Sequence, residues 1–118
     1  LADLGEILQV EDLLECSFHP LRKLARMTTP EERFHAEFGK EFCLELCQTK
    51  KGEMGVQDAI DQYFPMLPAF FGRPQSRNNE IFRKWGIKKR KNEEMRAAYL
   101  VQAESVVKEL GMRLPDLA

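Results

Sequence analysis

Pro30-Glu31-Glu32-Arg33-Phe34-His35-Ala36-Glu37-Phe38-Gly39-Lys40-Glu41-Phe42-Cys43-Leu44-Glu45-Leu46 is the stretch on which the fold turns. Phe34, Phe38, Phe42 and Leu46 recur every four residues, the spacing of one face of an α-helix. Such an aromatic stripe is most simply core packing. The stretch has no apolar–polar alternation and no β-branched residue, so it predicts a helix from Pro30 to about Gln48. The same pattern on either side makes helix the expected state of the whole chain, an all-α fold.

Upstream, Leu4, Ile7, Leu8, Leu14 and Phe18 share one side of a helix expected over residues 1–17. His19-Pro20 marks a turn, with Pro20 suited to a first helical position. A short helix over about 20–27 leads to Thr28-Thr29-Pro30, where an interruption or kink is expected. Downstream, Thr49 to Gly55 reads as a loop. A helix over about 56–70, bent near Pro65 and Pro68, ends in an apolar run from Phe64 to Phe71. After a connection at Gly72–Ser76, a short helix at about 78–85 stops at Gly86. Asn92 is the expected cap of a last helix, about 93–110, which Gly111 ends. An extended tail, Met112 to Asp116, follows.

The 118 residues suit one modest domain, and 43% hydrophobic with 31% charged residues is a globular composition. No apolar run approaches the roughly 20 residues that span a bilayer, and no basic-then-apolar leader is visible. The expectation is a cytoplasmic protein with no membrane partner. The first residue is Leu1, so the chain reads as a single helical domain or as a C-terminal fragment of a longer product. Residues 1–72 hold 13 acids and 7 bases, whereas residues 73–118 hold 11 bases and 6 acids. The front half can supply carboxylates. The back half, with Arg83-Lys84 and Lys88-Lys89-Arg90-Lys91, can meet a phosphate or an acidic partner, or simply be a solvated face. The acidic front half argues against nucleic acid. Cys16, Cys43 and Cys47 make an odd count that does not suit a disulfide framework. Cys43 and Cys47, four apart, read as thiols on an apolar face rather than as a soft metal pair.

Glu32 and His35, three apart on a helix, project from nearly the same face and can hold one metal ion together. A third ligand follows from hairpin geometry. If the chain reverses near His19, Asp3 and His35 stand equally far from the turn, roughly 24 Å at about 1.5 Å per residue. Glu6, one turn nearer, is the reserve. One hairpin thus offers Asp3, Glu32 and His35, half of a two-metal site. Two plainer readings stand beside it: Thr29-x-x-Glu32 fits a capping box at a helix start, and His35 fits a hydrogen-bonded core histidine.

Glu31-Glu32-Arg33-Phe34-His35, with Gly39 one turn later, resembles an iron-ligand helix of the phenylacetic acid catabolic protein family. Within that family it is similar to the C-terminal half of the catalytic subunit of phenylacetyl-CoA epoxidases. The likeness continues through Gln57-Asp58-Ala59-Ile60-Asp61-Gln62-Tyr63-Phe64 and Phe71-Gly72. It takes in Trp85-Gly86-Ile87-Lys88-Lys89-Arg90, Asn92-Glu93-Glu94-Met95-Arg96, Leu110-Gly111-Met112 and Pro115-Asp116. It spans essentially the whole chain and is weaker over residues 1–28 and 73–84.

The resemblance implies a ferritin-like helical bundle, present here as its C-terminal half, and a di-iron oxygenase with iron, or manganese, as the metal. The reaction implied is O2 activation and insertion of one oxygen atom into the ring of an aromatic acyl-CoA. Asp3, at family spacing from Glu32, would be a ligand with Glu32, and His35 a terminal nitrogen donor. Phe34 and Phe38 would keep water from the oxidant. Other oxygenase subunits and a reductase are the implied partners. Pro30 falls inside a helix that is continuous in the family. The family's earlier single Glu and earlier Glu-x-x-His have no counterpart in this sequence. They could come from elsewhere in the gene product, or a homodimer could join two half-sites. The alternatives are a non-catalytic helical subunit that keeps the fold and binds a catalytic partner, and an unrelated helical interaction module.

Overall fold

The computed structural model describes residues 1–116. Its helices are α1 (Ala2–Glu11), α2 (His19–Leu46), α3 (Lys50–Tyr63), α4 (Arg77–Lys84) and α5 (Asn92–Glu109), with 3-10 turns at Phe64–Met66 and Pro68–Phe71. Among the described residues there is no strand. The architecture is the expected all-α bundle. None of the described helices is long and apolar enough to cross a membrane.

Local chemistry sets the boundaries. Pro20 sits in the first turn of α2 behind an extended Phe18, where its missing N–H costs nothing. α2 then runs unbroken through Pro30, so the expected interruption at Thr28–Pro30 is absent. Pro30 deprives the Arg26 carbonyl of its helical donor. The threonines before it fold their hydroxyls back onto the same turn: Thr28 donates to the Leu24 carbonyl at 3.1 Å and Thr29 to the Ala25 carbonyl at 2.7 Å. The stretch from Thr49 to Gly55 is not a loop. Thr49 Oγ1 accepts from the Gly52 N–H at 3.0 Å, and α3 starts at Lys50. A good N-cap outweighs the poor helix propensity of the two glycines. The bend near Pro65 and Pro68 is present as the two 3-10 turns. α5 begins one residue early, with Lys91 in the capping position. The Asn92 N–H is instead satisfied by Asn79 Oδ1 at 3.1 Å, while the Asn92 side chain donates to the Arg73 carbonyl.

The core gathers on α5. Met95, Tyr99, Ala103 and Val107 recur every four residues and are buried against Leu8, Ile60, Phe64 and Phe71. The Tyr99 ring packs on Phe64 and Phe71, with centroids 5.9 and 5.2 Å away. α1 is covered on both sides, by α5 on one and α2 on the other. Leu1, Gly5 and Leu8 make its α5 side. Beyond α5, the tail is held by Gln57, which donates to the Arg113 carbonyl and accepts from its N–H.

Burial pushes the Tyr99 phenol up to about 12. The folded state thus binds this proton more tightly than the unfolded chain, whose tyrosine titrates near 10. The contribution of the neutral Tyr99 to stability is therefore fully present below about pH 10 and lost as pH rises towards 12. In a Tyr63→Phe background the remaining phenolate should appear, by absorbance near 295 nm, only in the alkaline unfolding transition. A phenolate that titrates near pH 10 with the fold intact would contradict this.

The aromatic stripe of α2 is not core. Phe34, Phe38 and Phe42 are 68, 63 and 54% exposed. The face of α2 that packs on α1 is instead the one carrying Ala25, Thr29 and Glu32. Periodicity fixed a helix with an apolar face, but a second, small-residue face met the neighbouring helix. The molecule is a slab, 50 × 33 × 17 Å, with a radius of gyration of 15.8 Å; a compact domain of this length has about 13.5 Å. Its 8191 Å² of surface exceeds that of a compact monomer of its mass by about 1600 Å².

Candidate metal centre

α1 and α2 form the expected antiparallel hairpin. Glu11 pairs with Arg33 at 3.1 Å and Glu15 with Arg26 at 3.2 Å, and Arg26 Nε donates to the Leu14 carbonyl at 3.0 Å. These contacts set the register in which Asp3 and Glu6 of α1 meet Glu32 of α2. One carboxylate oxygen from each lies within 4.8 Å of the others. Asp3 and Glu32 are half-buried and Glu6 is exposed. Among the described residues, none of the three makes an ion pair with Lys, Arg or His.

Three carboxylates this close repel when all are ionised. The Glu6 carboxyl is raised above its ordinary value, first by the hydrogen bond it shares with Glu32 when one of the two is protonated. Burial comes next, then the charges of Glu32 and Asp3; the His35 ring pulls the other way. Among the described residues, no N–H group or hydroxyl reaches Glu32 Oε2, which is buried. A proton from Glu6 or a cation is what this oxygen lacks. Oxygen donors alone, with no base to neutralise them, suit a hard divalent ion.

The structure thus brings Asp3 and Glu32 together, as the hairpin geometry expects, and adds the reserve residue Glu6. It leaves His35 outside that group, exposed on the flank of α2 with its ring edge-on to Phe34 at 6.3 Å. The capping-box reading of Glu32 is overturned. Thr29 lies well inside α2, and its buried hydroxyl is spent on the Ala25 carbonyl.

Asp3 also lines a cavity of about 1010 Å³ between α1, α2, α3 and α5, walled by apolar side chains such as Leu4, Phe42, Ile60 and Leu110. Lys40 closes one side by pairing with Glu109 at 2.6 Å. Cys43, half-buried, is on the same wall. The nearby Cys47 thiol is raised by burial, then by Cys43 and Glu53. Neither joins a metal-binding group among the described residues.

Part of the basic run is structural. Arg90 Nε lies 3.6 Å from Asp12, Lys88 donates to Gln9 and Arg83 to the Lys89 carbonyl. Asp12, which the sequence reading did not single out, is buried and accepts from the backbone N–H groups of Lys89 and Arg90. Its signal was its place in the series Leu1, Gly5, Leu8, Asp12: an acid on the face that packs inward.

One of the subunits of the 1,2-phenylacetyl-CoA epoxidase of Escherichia coli (strain K12) is 29% identical over 119 residues, which cover 98% of this chain and 38% of that protein. The chain therefore spans less than two fifths of the length of that curated relative. The family model described as Phenylacetic acid catabolic protein matches residues 1–118. With a match from the first residue to the last, the chain belongs to the phenylacetic acid catabolic protein family.

Proposed function

We propose that this chain contributes carboxylate ligands to the di-iron centre of a multicomponent oxygenase acting on an aromatic acyl-CoA, in phenylacetate catabolism. The observation that carries this reading is the trio Asp3, Glu6 and Glu32, with one carboxylate oxygen of each within 4.8 Å of the others and a buried Glu32 oxygen that no N–H group or hydroxyl among the described residues reaches. The three would hold the metal, iron or alternatively manganese, with His35 as the nitrogen donor. When bound, iron supplies O2 activation and delivery of one oxygen atom to the ring. The chain's own residues do the rest. Their negative charge offsets that of the cation, and Glu6 releases its shared proton as the cation enters. The adjoining apolar cavity has the size of a small-molecule site and would seat the aromatic acyl group away from bulk water. A further Glu and a second Glu-x-x-His would come from outside residues 1–118, from another segment, another protein of the complex or a second copy in a ferritin-like assembly. A reductase would supply electrons.

The test is anaerobic loading of the chain with Fe(II) or Mn(II). Uptake by the wild type is expected, weakening as pH falls because Glu6 then keeps its proton. Glu32→Gln and Asp3→Asn should each lower affinity by about tenfold or more. A wild-type chain that takes up neither ion would sink the proposal for this chain. The position of His35 outside the trio favours a second reading, a helical subunit of the same family without a metal site. Under it, His35→Ala leaves both metal content and assembly with a catalytic partner unchanged.

A further inference from the structure

We propose that Tyr99 is a positioning residue that sets the height and rotation of α1, and through it the placement of Asp3 and Glu6 against Glu32. This deepens the metal-centre reading above and, for its purpose, rests on it. The Tyr99 hydroxyl donates to the Leu1 carbonyl at 2.9 Å, two residues before Asp3. Its ring lies against Gly5, two residues after Asp3: a Cβ at Gly5 would stand 3.6 Å from Tyr99 Cε1 and 3.5 Å from Phe71 Cζ. The two contacts bracket Asp3 on the opposite side of the helix. At 100° per residue Leu1 and Gly5 share the α5 face, while Asp3 and Glu6 project towards α2. α1 has no side-chain cap hydrogen bond at its start; Leu1 and Leu4 pack on the core there, and the Tyr99 hydroxyl adds a directional tie to that packing. Tyr99 is itself immobilised, fully buried and packed between Phe64 and Phe71. A rigid ring on one side of α1 thus dictates where the carboxylates stand on the other. A carboxylate moved by an ångström no longer converges with its neighbours on one ion.

Two measurements on the full chain test this, each comparing wild type with Tyr99→Phe, which keeps the ring and loses the hydroxyl. Val107→Ala, a core change on α5, serves as the control for lost stability. Amide hydrogen exchange in α1 should rise several-fold in Tyr99→Phe and not in Val107→Ala. Mn(II) affinity should fall about tenfold in Tyr99→Phe, with Val107→Ala binding as the wild type does. Unchanged α1 exchange in Tyr99→Phe overturns the proposal. So does wild-type Mn(II) affinity in Tyr99→Phe, and so does an equal loss in Val107→Ala, which would make the effect one of stability alone. A wild-type chain that binds no Mn(II) ends the metal reading instead, and the exchange comparison then decides the clamp by itself.

Discussion

Asp12→Ala should cost about 3 kcal/mol of folding stability, because it strips a buried cluster of its acceptor. The carboxylate takes two backbone N–H groups, from Lys89 and Arg90, and faces the Arg90 guanidinium. Alanine would leave both N–H groups without a partner and a half-buried cation without its counter-charge. It would also untie the segment between α4 and α5 from the end of α1. Water reaches Arg90, which keeps the loss at the lower end for broken buried pairs. Asp12→Asn should fall between, since its oxygen still accepts while its amide faces the guanidinium. Urea unfolding measures both, and a loss below about 1 kcal/mol in Asp12→Ala would contradict the structure.

Gly52→Ala should be as damaging, about 3 kcal/mol, for a steric reason. A Cβ there would collide with the Leu46 carbonyl oxygen and lie 2.7 Å from its carbon. Both are backbone atoms, so no side chain can swing aside. The start of α3 would have to move, taking with it the Thr49 cap and the alignment of Ile60 and Phe64 in the core. Gly55, three residues on in the same helix, has nothing within 4 Å of its Cβ position. There the same substitution should stabilise the chain by about 0.8 kcal/mol through helix propensity alone. Opposite signs at Gly52 and Gly55, in thermal or urea unfolding, are the expected outcome. Two similar values would mean that α2 and α3 do not meet as described.

What could be read in the sequence was whatever depends on near neighbours. An all-helical chain and the facing of Asp3 and Glu32 follow from 3.6-residue periodicity and a count from a turn, although α1 ends at Glu11 and the chain reverses over residues 12–18, just before His19-Pro20. Glu6 shows the limit of that count. With the reversal at His19, Glu6 stands level with Glu32 and Asp3 with His35, and the structure uses both acids of α1. The fate of Phe34, Phe38 and Phe42 could not be read, because periodicity says that a face is apolar and not what covers it. Thr29-x-x-Glu32 misled for a related reason: a capping box needs a helix start, and α2 had started well before Thr29, at His19. Asp12 went unnoticed because its partners, Lys89 and Arg90, lie far along the chain.

The contact between Tyr99 and Leu1 joins residues 98 positions apart, and this separation carries a consequence for the order of folding. Asp3, Glu6 and Glu32 belong to one local hairpin, whose closure is cheap and fast. The opposite side of α1, with Leu1, Gly5 and Leu8, has no cover until α5 exists. The acids therefore gather early, on a hairpin still open at its back, and the docking of the last helix is the expected slow step. During synthesis the three carboxylates would come near one another while the core is not yet shut, and their final placement would wait for Tyr99.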